Sequence, residues 1–157
     1  MDEREFSDRV RRMSERLWHV SFACLRSQTD ADDCLQEALL RAWKGRGHLK
    51  DPDLFETWLI RILINECRRF LKGRRNYDEI PKSMPAPEID NRPLYEAMGK
   101  LKPDYRLPII LHYIEGYSVR ESAYILRITE ANVKVRLLRA RQKLKDELES
   151  EADKHEE

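Results

Sequence analysis

The position of the prolines is the sequence feature that most constrains what this chain can fold into. Four of the seven prolines, Pro81, Pro85, Pro87 and Pro93, fall within thirteen residues. Proline lacks a backbone N–H donor and blocks helix propagation, so a cluster of this density favours an extended connection. We therefore expect a linker over residues 76–91 that separates two folded domains.

Charge is sorted along the same boundaries, although the whole chain carries a net charge of only +1. Residues 1–75 hold 16 basic and 13 acidic side chains, net +3, and residues 92–148 hold twelve and seven, net +5. The linker holds one basic and four acidic side chains, net −3, and residues 149–157 hold one basic and five acidic side chains, net −4. Two basic domains are thus joined by an acidic linker and followed by an acidic tail, which we expect to fray beyond Leu148.

Several classes of protein are excluded by composition. The longest stretches without a charged side chain, 17–25 and 107–114, are far shorter than the ~20 residues that cross a bilayer, and the charged N-terminus is unlike a secretory signal. We expect a cytoplasmic protein. The three cysteines form no C-x-x-C pair and the four histidines are scattered, so no disulfide, metal or other cofactor is expected. Without paired carboxylates or a glycine-rich phosphate loop, an enzyme is not indicated either.

Apolar residues of the first domain recur at helical spacing. One stripe predicts a first helix of about twenty residues; its members are Phe6, Val10, Met13, Leu17, Val20 and Cys24. A second helix is predicted from an N-cap at Asp30 to Gly45, and its inner face is Leu35, Ala38, Leu39 and Ala42. A third, from Leu54 to Lys72, is the most apolar and is expected to be central; its inner face is Phe55, Trp58, Leu59, Ile62, Leu63, Cys67, Phe70 and Leu71.

Basic residues of the third helix must occupy the face that its apolar residues leave exposed. They are Arg61, Arg68, Arg69 and Lys72, with Glu66 as the only balancing acid on that face. Such a face is suited to phosphate.

The second domain is predicted to be helical throughout. A short helix begins at Leu94 and is ended by Pro103, and another runs from Leu107 to Ile114, with Pro108 as a bend or a start. Ser118 and Glu121 have the spacing of a capping box and open a helix to about Leu126. The last helix follows at once from an N-cap at Thr129, so the two form a helix-turn-helix pattern.

The last helix is strongly basic outside its apolar stripe. Val133, Leu137, Ala140 and Leu144 recur at four, three and four and are expected to face the core. Six cations and no acid occupy residues 134–145. We interpret this helix as a phosphate-binding element, the alternative being a solubilising face, which would normally mix Glu with Lys.

These segments resemble the bacterial extracytoplasmic-function sigma factors, which are RNA polymerase initiation subunits of the sigma-70 family. Residues 30–43, DADDCLQEALLRAW, resemble the family's segment that docks on the polymerase clamp helices. Residues 55–65 resemble its promoter-melting helix, and residues 115–141 its C-terminal helix-turn-helix. The resemblance covers nearly the whole chain and implies an all-α fold with a region-2-like domain at 1–75 and a region-4-like domain at 92–148.

Recognition of the minus-thirty-five element in the major groove is implied for the last helix. Since the core face is fixed by the apolar stripe, the outward residues that could touch bases are Lys134, Val135, Leu138 and Arg139. Arg120, Arg136 and Arg141 are better placed for phosphates, which position the protein without reading sequence. The alternative for Val135 and Leu138 is packing on the linker or on a partner.

Capture of an unstacked minus-ten base is implied for the segment 48–53 and the helix that follows. The candidates for the pocket are Leu49, Lys50, Asp51 and Asn65, with Arg61 possible beside them and the basic residues Arg68, Arg69 and Lys72 along the same face. Asn65 has the alternative of an ordinary exposed or capping residue. Trp43 and Trp58 sit on apolar stripes and are expected to belong to the core rather than to a stacking platform.

Binding to core RNA polymerase through its clamp helices is implied for one face of the second helix. At helical spacing this face mixes charges with an apolar anchor, which suits a protein interface; its members are Asp33, Gln36, Glu37, Leu40 and Arg41. The alternative is an ordinary exposed face. The family also implies a controlling anti-sigma factor.

Some positions depart from the family pattern. Ser122 stands where an apolar residue usually packs, which is expected to weaken that core. Arg127 replaces the usual turn glycine, so a left-handed backbone there costs about 1 kcal/mol. Ala131, Asn132 and Val135 replace other usual residues, so no promoter sequence is inferred, and Arg69 stands where many members have Asp.

Two functions remain open. The first is a sigma factor that binds core polymerase and directs promoter-specific initiation in a stress response. The second is a dimeric helix-turn-helix regulator that binds duplex DNA without polymerase.

Overall fold

The computed structural model describes residues 1–73 and 92–156, and all regular structure within them is helical. The all-α prediction is therefore confirmed for this part of the chain. The predicted linker at 76–91 lies outside the described residues. Two compact units are present: the first contains helices α1 (Glu3–Leu25), α2 (Gln28–Gly45) and α3 (Phe55–Gly73).

Helix α1 begins and ends with local caps. The Asp2 carboxylate accepts a hydrogen bond from the Glu5 backbone N–H at 2.9 Å, and Arg26 closes the helix in the left-handed conformation at φ 55°. Phe6, Leu17 and Val20 are buried, as the predicted stripe requires.

Helix α2 differs from its prediction at its start and in its inner face. The N-cap is Ser27, whose hydroxyl accepts from the Asp30 backbone N–H at 3.3 Å, so the predicted cap at Asp30 is wrong. The buried residues are Ala31, Cys34, Ala38 and Ala42, whereas Leu35 and Leu39 are only half-buried. Small side chains on this face let α2 approach α1 and α3 closely, which displaces the larger leucines to the side.

Helix α3 packs against both α1 and α2, which also pack against each other. Phe55, Leu59, Leu63 and Cys67 are buried as predicted, but Trp58, Ile62, Phe70 and Leu71 are half-buried. Ile60 and Ile64 are fully buried instead. The buried stripe is therefore shifted around the helix relative to the predicted one, because the packing of α1 and α2 on α3, and not the apolar pattern alone, decides which side is covered.

The second unit contains α4 (Arg92–Lys100), α5 (Pro103–Ile109), a π-helical turn (Ile110–Ile114), most of α6 (Val119–Leu126) and α7 (Glu130–Glu156). The predicted start at Leu107 is wrong, since Pro103 opens α5 at its first turn, where proline needs no N–H partner. Pro108 lies inside α5, just before the π-helical turn.

Local signals around α6 are confirmed in detail. Ser118 and Glu121 form a reciprocal capping box, with both hydrogen bonds at 3.0 Å. Thr129 caps α7 by accepting from the Asn132 backbone N–H at 3.1 Å. Arg127, in the turn between the helices, has φ 59°, which is the strained left-handed conformation expected there.

The tail does not fray at Leu148, contrary to the prediction, because α7 continues to Glu156. The Lys100 ammonium nitrogen lies 3.6 Å from a Glu147 carboxylate oxygen and 3.0 Å from a Glu151 oxygen, which joins α4 to the tail. The hydrogen bond that Lys100 donates to the Glu151 carboxylate is the main reason that the pKa of Lys100 is raised. Within the described residues, no helix is long and apolar enough to cross a membrane.

Candidate nucleic-acid and protein interfaces

The exposed face of α7 combines cations with apolar side chains. Lys134 and Arg139 are exposed, and between them Val135 is 43% and Leu138 62% exposed. The buried stripe, Val133, Leu137, Ala140 and Leu144, lies on the opposite side of the helix. We call Lys134, Val135, Leu138 and Arg139 the α7 outer face; the structure places these four predicted base-contact residues together.

Arginines at the edges of the α7 outer face are held by other helices. Arg136 Nη1 lies 3.6 Å from Asp104 Oδ1 of α5, and its Nε lies 3.3 Å from Asn132 Oδ1. Arg141 donates a hydrogen bond to the Tyr113 hydroxyl. These contacts fix both guanidinium groups beside the outer face, where phosphates flank a helix in the major groove. The acid that balances Arg136 comes from another helix, so it could not be read from the α7 sequence.

Arg120 is exposed in the first turn of α6, between the capping-box residues Ser118 and Glu121. Helix N-termini present unpaired backbone N–H groups, so an arginine there is well placed for a phosphate. It does not belong to the α7 outer face.

The connection between α2 and α3 is formed by two short 3-10 turns, Arg46–His48 and Pro52–Leu54. Lys50 and Asp51 are exposed and Leu49 is half-buried. The Asp51 carboxylate accepts from the Asp53 backbone N–H at 3.0 Å and thus caps the second turn. Arg9 Nη1 donates to the Pro52 carbonyl at 2.7 Å and ties the connection to α1.

Leu54 is 50% exposed at the end of this connection and is not among the site residues predicted from the sequence. It precedes the buried Phe55, so the apolar pattern alone did not distinguish it from the core of α3. We group Leu49, Lys50, Asp51 and Leu54 as the α2–α3 connection surface.

The predicted minus-ten residues on α3 are spread along the helix. Asn65 is half-buried and lies ten residues beyond Phe55, about 15 Å along the axis of α3. Its place in one pocket with the α2–α3 connection stays a prediction. Arg61 and Arg68 are half-buried, contrary to the prediction that all four basic residues are exposed, because α3 is covered along much of its length. Arg69 and Lys72 are exposed.

The predicted polymerase-binding residues are all exposed on one face of α2, which we call the α2 outer face: Asp33, Gln36, Glu37, Leu40 and Arg41. Leu40 is the large apolar side chain among them. Arg41 is paired with Glu37, at 3.7 Å, and with Glu66 of α3, at 2.5 Å. Glu66 is 3% exposed, so it does not lie on the exposed basic face as predicted, although it does balance the exposed Arg69, whose Nη1 lies 3.1 Å from Glu66 Oε1.

Both tryptophans expected in the core are only half-buried. The Trp43 ring packs edge-on against Phe6 with centroids 5.3 Å apart, and the Arg46 guanidinium lies 3.5 Å from its centroid. Trp58 packs against Phe55 at 5.9 Å. These contacts give both rings a structural role at the edge of the core.

All three cysteines are buried in the first unit, and the Sγ atoms of Cys34 and Cys67 are 3.6 Å apart. Hydrogen bonding with Cys24 is the main reason that the pKa of Cys67 is raised, and the hydrogen bond from Cys67 lowers the pKa of Cys34. Residues 1–73 and 92–156 contain no group of His, Cys, Asp or Glu arranged to hold a metal ion.

A helix-turn-helix with a long basic helix in one unit, and three packed helices in the other, define a helical DNA-binding protein. Residues 9–77 match the family Sigma-70 region 2, and residues 91–144 match the family Sigma-70, region 4. The RNA polymerase sigma factor CnrH of Cupriavidus metallidurans is 30% identical over 149 residues, which cover 81% of this chain and 78% of CnrH. The chain belongs to the extracytoplasmic-function RNA polymerase sigma factors.

Further relatives agree with this membership. The ECF RNA polymerase sigma factor SigM of Mycobacterium tuberculosis is 29% identical over 150 residues, covering 91% of this chain and 76% of SigM. The structure of CnrH with the cytosolic domain of CnrY matches with a TM-score of 0.75 and 29% identity, covering 95% and 90% of the two chains. The fold also matches the sigma factor RpoE of Bartonella quintana, solved with the anti-sigma factor NepR, with a TM-score of 0.82 at 22% identity over 92% and 97%. These matches support the sigma factor over the dimeric regulator.

Proposed function

We propose that this sigma factor reads the minus-thirty-five element with α7, engages the minus-ten element with α3 and the α2–α3 connection surface, and binds core RNA polymerase through the α2 outer face. The strongest support for this proposal comes from the α7 outer face. Val135 and Leu138 are water-facing apolar side chains in a strongly basic helix, on the side opposite the buried stripe. Thymine methyl groups are the apolar features of the major groove, so such side chains suit base contact.

The cations around Val135 and Leu138 divide into two roles. Lys134 and Arg139 share the α7 outer face and are proposed to contact base edges. Arg136, Arg141 and Arg120 stand beside it and are proposed to bind phosphates, which set the register of the helix in the groove. This assigns minus-thirty-five recognition to the domain at residues 92–148.

The domain at residues 1–75 is proposed to bind polymerase and the minus-ten element. Extracting a base from the stack costs a few kcal/mol, which contacts at Leu49, Lys50 and Asp51 must offset. The exposed Leu54 adds an apolar surface beside them. Lys72, with Arg61, Arg68 and Asn65, is proposed to follow the strand along α3.

Polymerase binding is proposed for the α2 outer face because it joins an apolar anchor, Leu40, to charged neighbours of both signs. We propose that the protein acts in the cytoplasm, where polymerase and chromosome are found, as a transcription initiation factor without catalysis of its own. In the solved structure of CnrH, the cytosolic domain of CnrY is bound. We accordingly propose that an anti-sigma factor controls this chain.

Run-off transcription tests the proposal directly. Purified core polymerase is supplied with fragmented genomic DNA, with and without the protein, and new start sites are mapped. We expect starts that share two spaced sequence elements. If none arises while the protein alone retards particular duplexes, the dimeric-regulator function is correct and the polymerase surface is wrong.

Two matched leucine variants separate the proposed surfaces. Leu40→Ala should weaken binding to core polymerase by about tenfold, the scale of one buried interface anchor. Leu54→Ala should leave the affinity for core polymerase unchanged and slow promoter opening, seen as slower appearance of run-off transcripts. Equal effects of the two variants on core affinity would contradict the division of roles.

A further inference from the structure

Residues of two proposed surfaces meet at one buried carboxylate. Glu66 of α3 contacts Arg41 of α2, with Arg41 Nε 2.5 Å from Glu66 Oε1. The same oxygen lies 3.1 Å from Nη1 of Arg69, one turn further along α3. From the sequence alone, Arg41 is expected to contact polymerase and Arg69 promoter DNA. In the folded chain they share Glu66.

The charges of this cluster balance within the protein. A carboxylate that is 3% exposed is stable only when it is paired, and Glu66 has two guanidinium partners. Glu37 adds a second acid 3.7 Å from Arg41. Two acids and two bases therefore form a neutral cluster across α2 and α3. Because Arg69 is already paired with the Glu66 carboxylate, its attraction for a DNA phosphate is weaker than that of an unpaired arginine.

The contacts also determine how Arg41 is presented. Both of its ion pairs within the described residues use Nε, and its side chain is 47% exposed. A guanidinium is a rigid planar fork, so contacts at Nε restrict the directions that its two terminal nitrogens can take. Those nitrogens are the donors that would grip a carboxylate of a partner protein in a bidentate pair.

We propose that Glu66 is a positioning residue of the polymerase-binding surface, because it orients Arg41 toward an acidic group of core polymerase. Arg69 supports Glu66 in this role by pairing with its carboxylate. Arg69 thereby belongs to the polymerase-binding cluster and not to the promoter contacts. This inference rests on the proposed function of the α2 outer face.

The test measures two quantities for each variant: affinity for core polymerase, and the salt dependence of promoter binding by the holoenzyme. The variants are Arg41→Gln, Glu66→Gln and Arg69→Gln, with Lys72→Gln as a matched control, a nearby exposed cation of α3. We expect the first three to weaken core binding on the order of tenfold. Lys72→Gln should leave core binding unchanged and lower the salt slope by about one charge, which Arg69→Gln should not do.

Non-additivity distinguishes positioning from a loss of folding. If Glu66 acts through Arg41, the double variant Arg41→Gln/Glu66→Gln binds core polymerase no more weakly than Arg41→Gln alone. Arg69→Gln alters an exposed side chain and so keeps the test open if Glu66→Gln fails to fold.

The inference is overturned if Arg69→Gln retains full core affinity and lowers the salt slope as Lys72→Gln does. In that case Arg41→Gln still weakens core binding, and the proposed polymerase surface stands. If Arg41→Gln itself has no effect, the surface is wrong and the inference falls with it.

Discussion

Replacing Ser122 with alanine should stabilise the protein, which is unusual for a fully buried position. Ser122 is 0% exposed, and its hydroxyl has no hydrogen-bond partner among the described residues. An unpartnered buried hydroxyl costs about 1–3 kcal/mol, and alanine is favoured over serine inside a helix by about 0.5 kcal/mol. Because the small void left by the oxygen reduces the gain, we expect Ser122→Ala to raise the free energy of unfolding by about 1–2 kcal/mol.

Ser118, four residues earlier, provides a matched control with the opposite sign. Its hydroxyl accepts from the Glu121 backbone N–H, so Ser118→Ala should lower the free energy of unfolding by about 1 kcal/mol.

Urea unfolding followed by far-UV circular dichroism measures both serine variants. Tryptophan fluorescence identifies the transition of the first unit, because Trp18, Trp43 and Trp58 all lie in residues 1–73. In a thermal scan, each kcal/mol corresponds to a shift of about 4–8 °C for a unit of this size. A loss of stability in Ser122→Ala would refute the reasoning, since it would show that the hydroxyl forms a stabilising hydrogen bond.

Three further predictions follow from burial, backbone conformation and charge. Arg127→Gly should raise the free energy of unfolding by about 0.5–1 kcal/mol, because glycine adopts positive φ without strain; an unchanged urea midpoint would contradict this. The three buried thiols should react with Ellman's reagent at pH 8 only on unfolding, the raised pKa of Cys67 adding to its protection; rapid labelling of the native protein would show that the first unit opens readily. The pKa of Lys100 is raised in the folded state, so its ion pairs stabilise the protein below the ordinary pKa of 10.5 and are lost as pH rises through the raised pKa. The Lys100→Met variant should therefore lose less stability than the parent protein on alkaline titration. Equal losses of stability in the two proteins would refute this.

Features set by neighbours in the chain were predictable. The capping box at Ser118 and Glu121 and the cap at Thr129 depend on residues within three positions, so their spacing was sufficient. The strained backbone at Arg127 was likewise expected from its place in a short turn. The cap of α2 was the exception, because Asp30 was predicted as the N-cap and the Ser27 hydroxyl caps the helix by accepting from the Asp30 backbone N–H.

Features set by packing were not predictable from periodicity. The inner face of α2 is formed by small residues such as Ala31 and Cys34, because small side chains let α2 pack closely against its neighbouring helices. This packing leaves Leu35 at the side of the helix. The continuation of α7 through the acidic tail depends on Lys100, which lies on another helix.

The sequence by itself determined the family, the helical architecture, the capping of α6 and α7, and the outward face of α7, because each depends on residues close together in the chain. The tertiary structure alone decided the burial of Glu66 and the pairing of Arg41 with Arg69 through it. A charge on a helix can be assigned to a face from spacing, but its burial depends on which helix covers that face. Only the packing of α2 on α3 brings the two arginines to one carboxylate.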